Sequence, residues 1–238
     1  MMQFGLRNVK VYADGADLES ILLLAEEPGI AGFTTNPTLM RQSRVTDYAG
    51  FARKVLDNVT HLPISFEVFA DEPDEMVRQA RLIASWGPNV YVKVPVTTTQ
   101  GVSTAPVICE LADSGVRQNV TAVMTLPQVE TVTAALANGP DAIISVFAGR
   151  IADTGRDPIP VMQEALGIMS PHPRLELLWA SPREILNVRQ ADEIGVHIIT
   201  LTHDLLKKLA HFDRDLDAFS LATVQMFHDD ARAASYFL

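Results

Sequence analysis

Apolar positions along the chain follow two alternating rhythms. Runs of five to seven residues rich in Val, Ile, Phe and Tyr are bounded by turn residues. Between them lie longer stretches in which apolar residues recur every three or four positions. The first pattern reads as buried parallel strands and the second as amphipathic helices. Strands are expected at 8–13, 29–34, 63–68, 90–96, 119–124, 141–147, 175–180 and 196–200. Helices are expected at 17–26, 45–58, 74–86, 104–113, 127–137, 159–170, 182–193 and 202–210. Asp17 and Asp74 suit N-caps, Gly115 a C-cap, and Ser181-Pro182 an N-cap followed by proline at the first helical position. Beyond residue 211 two more helical patterns appear, at 216–228 and 229–238.

That makes eight strand–helix units, repeating about every 27 residues without a long linker. Eight such units close into a single (β/α)8 TIM barrel over residues 1–210. Residues 211–238 then form a C-terminal helical extension packed on the barrel or on a neighbouring subunit. The competing arrangement is an open, doubly wound sheet. Asp14-Gly15-Ala16-Asp17 after the first strand is not the glycine-rich phosphate loop such a sheet commonly carries.

Composition narrows the classes. With 238 residues, 47% hydrophobic and 20% charged, the chain can bury one large core. A net charge of −10 argues against a general nucleic-acid surface but leaves room for a local basic pocket. The single cysteine, Cys109, excludes an internal disulfide and a Cys-pair metal site, and suits a reducing compartment. The opening MMQFGLRNVKVYADG lacks the apolar core of a secretion signal, and no apolar run approaches membrane-spanning length. A cytoplasmic protein with no membrane partner is expected. The six histidines show no metal-ligand spacing, so no metal is expected.

Lys93 changes the picture most. It sits in the middle of Val90-Tyr-Val-Lys-Val-Pro-Val96, an otherwise apolar strand. Lysine is almost never fully buried without a partner or a task. Burial removes hydration from an ammonium and favours the neutral amine, which can attack a carbonyl and form a Schiff base. An edge-strand lysine facing solvent is the plainer explanation, since strands alternate faces. In a TIM barrel, however, functional groups gather at the C-terminal strand ends. Those ends carry Asp14, Asn36, Glu67, Lys93, Thr121, Arg150 and Ser181. Each alone has an ordinary explanation as a cap, turn or solvated residue; together they would converge on one pocket.

Four stretches carry a resemblance: Gly32-Phe-Thr34-Thr-Asn36-Pro-Thr38, Tyr91-Val-Lys93-Val-Pro-Val-Thr97, Thr121-Ala-Val123 and Phe147-Ala-Gly-Arg150-Ile151. In that order and at that spacing the chain resembles the transaldolase family, within it the short-subunit branch that includes fructose-6-phosphate aldolases. The resemblance spans Asp14 to about Leu206. It implies a class I aldol mechanism with no cofactor. Lys93 matches the Schiff-base lysine and Asp14 the acid/base of carbon–carbon cleavage. Glu67 and Thr121 match the pair that holds a catalytic water. Asn36 and Thr34 match groups bonded to the dihydroxyacetone fragment. Arg150 matches a phosphate-binding arginine and Ser181 a serine of the same subsite. Relatives commonly place a basic residue after Ala-Ser-Phe; here Ala180-Ser181 runs into Pro182-Arg183, which leaves Arg183 as the candidate substitute.

The expected activity is ketol transfer between sugar phosphates. The resemblance associates Glu67 with Phe147 in transaldolases, whereas a glutamine and a tyrosine at these places accompany release of free dihydroxyacetone. The alternatives are a fructose-6-phosphate aldolase, a transaldolase for a sulfonated or otherwise modified sugar, and a barrel without catalysis. The resemblance also implies a ring-like homo-oligomer built through C-terminal helices, for which the apolar ending Tyr236-Phe237-Leu238 is suited.

Overall fold

A computed structural model describes residues 5–236 of the protein. Its strands are β1 (Lys10–Asp14), β2 (Gly32–Thr34), β3 (Ile64–Glu67), β4 (Val90–Pro95), β5 (Gln118–Val123), β6 (Ala142–Val146), β7 (Leu175–Trp179) and β8 (Ile198–Thr202). All pair in parallel, each with its sequence neighbour, and β1 pairs with β8 to close the barrel. The helices are α1 (Leu18–Ala25), α2 (Pro37–Gln42), α3 (Tyr48–Leu56), α4 (Pro73–Ala84), α5 (Ala105–Asp113), α6 (Leu126–Leu136), α7 (Ala148–Ala152), α8 (Ile159–Met169), α9 (Leu186–Ile194), α10 (His203–Lys208) and α11 (Leu216–Ala233). The expected (β/α)8 barrel is the fold.

Two apolar clusters follow from strand alternation. Outward-facing residues such as Phe33, Phe66, Val92, Ile144 and Trp179 pack under the helices in one large shell. Inward-facing Tyr12, Tyr91, Ile143, Leu178, Ala180 and Ile198 fill the barrel itself. Polar residues lie above that plug, toward the C-terminal mouth.

Local chemistry explains the helix starts. Asp17 accepts from the Ser20 N–H and Asp47 from the Gly50 N–H. Thr125 and Gln128 form a reciprocal capping box. The expectation that Asp74 caps α4 is corrected. Pro73 already occupies the first turn and Glu72 precedes it, without a side-chain cap bond. Ser181 does not cap α9 either, because Pro182 to Ile185 form an irregular turn and the helix begins at Leu186. The two tail patterns merge into the single helix α11, since no glycine or proline interrupts them. It ends at Ala233, and Phe237 and Leu238 lie outside the described residues. Two short helices had no separate signal: α2, hidden by its entry through Thr35-Asn36-Pro37, and the five-residue α7.

Candidate active site

Lys93 faces the barrel interior, only 6% exposed. Strand register sets it between Glu67 of β3 and Asn119 of β5. Its Nζ donates to the Thr35 carbonyl at 2.7 Å and lies 2.9 Å from Glu67 Oε2. The solvent-facing alternative is therefore excluded, and the buried cation is paired, as burial requires.

Asp14 ends β1 on the same face of the barrel. Its Oδ1 accepts from the Thr34 hydroxyl at 2.8 Å, and Thr34 lies 2.5 Å from the Thr200 hydroxyl. With Asp14 ionised, the Thr34 proton is committed to the carboxylate, so Thr200 donates to Thr34. Burial raises the Asp14 pKa, and the nearby Lys93 charge and the Thr34 hydrogen bond oppose it.

Between this polar mouth and the apolar plug runs a second chain. Ser145 donates to Asn119 Oδ1 at 2.6 Å, and Asn119 Nδ2 donates to Ser65 Oγ at 3.0 Å. All three are buried. Thr121 lies two residues above Asn119, beside a register shift in the β5–β6 pairing. There Ala122 takes φ 63°, a conformation rare for residues with a Cβ. Such a bulge re-aims the strand end next to a site.

The opposite wall is basic. Arg150, on α7, stands over the Phe147 ring at 5.6 Å and makes no ion pair among the described residues. Arg183 is different: its guanidinium forks onto Asp153, with Nε donating at 2.9 Å and Nη2 completing the pair. Ser181, two residues before Arg183 and lining the same cavity, takes φ 59°. Gly149 makes this fit possible, because a methyl added there would overlap the Ser181 carbonyl oxygen. Asn36 has two tasks. Its Oδ1 caps α2 by accepting from Leu39 N, and the residue also lines the cavity.

All ten residues picked from the sequence line one cavity of about 540 Å³: Asp14, Thr34, Asn36, Glu67, Lys93, Thr121, Phe147, Arg150, Ser181 and Arg183. Ser145, Thr200 and Thr202 line it too and escaped notice in the sequence. Alternation offered the signal. Ser65, Asn119, Ser145 and Thr200 sit two residues before Glu67, Thr121, Phe147 and Thr202, hence on the same inward face.

A closed parallel barrel whose C-terminal mouth holds a buried lysine–carboxylate pair and a basic wall defines a class of barrel enzyme. The chain belongs to the transaldolase/fructose-6-phosphate aldolase family, whose model matches residues 11–236. It is 31% identical over 202 residues to a "Probable transaldolase" of Dehalococcoides mccartyi, covering 84% of this chain and 90% of that protein. It is 32% identical over 224 residues to a "Probable transaldolase 2" of Listeria monocytogenes, covering 89% and 98%. The chain is thus an enzyme of the aldolase/transaldolase type. Among solved structures it is similar to 2,3-dimethylmalate lyase, with TM-score 0.57, 11% identity, and coverage of 98% of this chain and 85% of that one. It is also similar to KGPDC from Streptococcus mutans, with TM-score 0.56, 10% identity, and coverage of 84% and 89%. At such identities the likeness speaks for the barrel alone.

Proposed function

We propose that this enzyme is a transaldolase that moves a dihydroxyacetone unit between sugar phosphates through a Schiff base on Lys93. One observation carries the reading: Lys93 is buried inside the barrel, 2.9 Å from Glu67, in the cavity that also holds Asp14. The ammonium first gives up a proton, and Glu67 is placed to receive it. The amine adds to the substrate ketone, and the carbinolamine loses water to become an iminium. Asp14 then takes the proton of the hydroxyl on the carbon beyond the scissile bond. That bond breaks, an aldose phosphate leaves, and the electron pair passes into the iminium to give an enamine. An acceptor aldose adds by the reverse of these steps, and water, held by Glu67 and Thr121, releases the new ketose. Asn36 and Thr34 hold the three-carbon fragment. Arg150, with Ser181 and Arg183, holds the anionic end, for which an arginine fork is suited.

Phe147 favours transfer over simple cleavage. It places an apolar ring in the cavity wall where a tyrosine would add a hydroxyl beside the imine. The enamine is then sheltered from water until an acceptor arrives. A second reading rests on the Arg183–Asp153 pair. With Arg183 matched, one unpaired arginine faces the anion, which also suits a monoanionic sulfonate.

The test is borohydride trapping with fructose 6-phosphate, with and without erythrose 4-phosphate as acceptor. A reduced adduct on Lys93, absent in Lys93→Ala, and product formation that needs the acceptor are expected. An adduct on Lys54, Lys207 or Lys208 instead would overturn the role of Lys93. Rapid free dihydroxyacetone that the acceptor does not divert would make the enzyme an aldolase.

A further inference from the structure

Strand pairing leaves a gap beside Glu67. On β3, Pro63 and Ser65 turn their carbonyls to β2, accepting from Phe33 N and Thr35 N. Ile64 and Val68 instead direct their N–H groups to the β4 side, onto Asn89 and Lys93 carbonyls. By that alternation the backbone of Glu67 faces β2. But β2 ends at Thr34, and the chain turns away at Asn36 into α2. Glu67 would be left with an unpaired N–H and C=O at the most demanding point of the site.

One hydroxyl fills the gap. Tyr48 Oη, from the start of α3, accepts from Glu67 N at 2.8 Å and donates to Glu67 O at 3.1 Å. It reproduces both bonds of the absent strand. Its ring is clamped edge-on by Phe66 and Phe69, with Trp86 alongside. Burial pushes the Tyr48 hydroxyl well above its ordinary value, so it stays neutral and keeps both its donor and its acceptor.

We propose that Tyr48 is a positioning residue for catalysis: it locks the open end of β3 so that the Glu67 carboxylate stays against Lys93. The proposal rests on the ketol-transfer reading, in which Glu67 handles protons around the imine. Without the hydroxyl, the Glu67 backbone would draw in water or shift. A misplacement of about 1 Å can cost on the order of a hundredfold in rate.

The experiment is a double-mutant cycle of Tyr48→Phe and Glu67→Gln. It is read by quench-flow borohydride trapping with fructose 6-phosphate and by the donor KM. In Tyr48→Phe, imine formation is expected to slow about ten- to a hundredfold, with the donor KM within about twofold. In the Glu67→Gln background the same substitution should cost little more, because it acts through that carboxylate. Normal trapping in Tyr48→Phe, or an equal slowing in both backgrounds, overturns the proposal while the ketol-transfer reading stands. No trapping in the wild type overturns both. Should Tyr48→Phe not fold, amide hydrogen exchange on the wild type decides. A Glu67 N–H as protected as those of Ile64 and Phe66 supports the lock, and one exchanging like a free amide refutes it.

Discussion

Burial lifts the Asp14 carboxyl above the ordinary carboxylate range, against the opposing Lys93 charge and Thr34 hydroxyl. A carboxyl with a raised folded pKa supports folding in its protonated form. Its contribution is full below the unfolded value of 3.8 and is lost as pH rises through the folded value. At pH 7, above the unfolded value, keeping this carboxyl buried therefore costs stability. Asp14→Asn is expected to raise Tm at neutral pH, by about 2–4 °C for each kcal/mol recovered in a chain of this size, while turnover is lost. The gain should vanish near pH 3.8. A variant no more stable than wild type at pH 7 would contradict this. Arg150 carries the matching prediction for binding. Losing one charged hydrogen bond costs about 1.5–3 kcal/mol, so Arg150→Ala should raise KM for a phosphorylated donor roughly ten- to a hundredfold. Dihydroxyacetone itself, lacking the anion, should respond little; equal effects on both would make Arg150 structural. At this scale the sequence was informative wherever a polar side chain interrupts an apolar run, as at Lys93 and Glu67. It was silent on Thr200, a type common in strands, on Asn119, which reads as the polar start of its strand, and on the tie between Arg183 and Asp153, which depends on a turn no local pattern describes.

Elements are joined by single polar residues that periodicity does not reveal. Asp192 lies on the buried face of the amphipathic α9, with Val188 and Ala191, and is only 5% exposed. Its carboxylate accepts from the backbone N–H groups of Arg7, Asn8 and Val9, pinning the entry of β1 to the far end of the barrel wall. Burial pushes this carboxyl up, but the N–H groups of Asn8, Val9 and Arg7 outweigh it and hold it below the ordinary range. A depressed pKa contributes stability above the unfolded value of 3.8, lost as pH falls through the folded one. Asp192→Ala should cost about 2–4 kcal/mol at pH 7, since it orphans several N–H groups bonded to a charge, and the difference should shrink on acidification. Denaturant unfolding at pH 7 and pH 3 checks both. A loss below about 0.5 kcal/mol at pH 7 would mean water replaces the carboxylate. Strand positions were legible because buried parallel strands are nearly all apolar. Helix starts were less so: at α4 and α9 a proline stood where either a cap or a turn was allowed, and tertiary packing chose the turn at α9.

The barrel from β1 to α10 satisfies its own apolar faces, and α11 does not. None of its residues is buried. Leu216, Leu221, Val224 and Phe227 each leave more than half of their surface to solvent, with Tyr236 following at 78%. Scattered exposed apolar residues are ordinary, but four on one helix that contributes nothing to the core are a surface awaiting a cover. A helix of 18 residues is also too short in apolar content to cross a membrane: no helix among the described residues is long and apolar enough. The cover we expect is a second copy of the chain, so that α11 of one subunit lies on the barrel of the next and the arrangement repeats to closure. Light scattering at micromolar concentration should then give a mass several times that of one 26.1 kDa chain. Removing residues 214–238 should shift that mass to the monomer while leaving the far-UV spectrum of a barrel. Because Lys93, Glu67 and Asp14 all come from one chain, the truncated monomer should still form the borohydride adduct. A full-length monomer would remove the idea, as would a truncated protein that assembles as before.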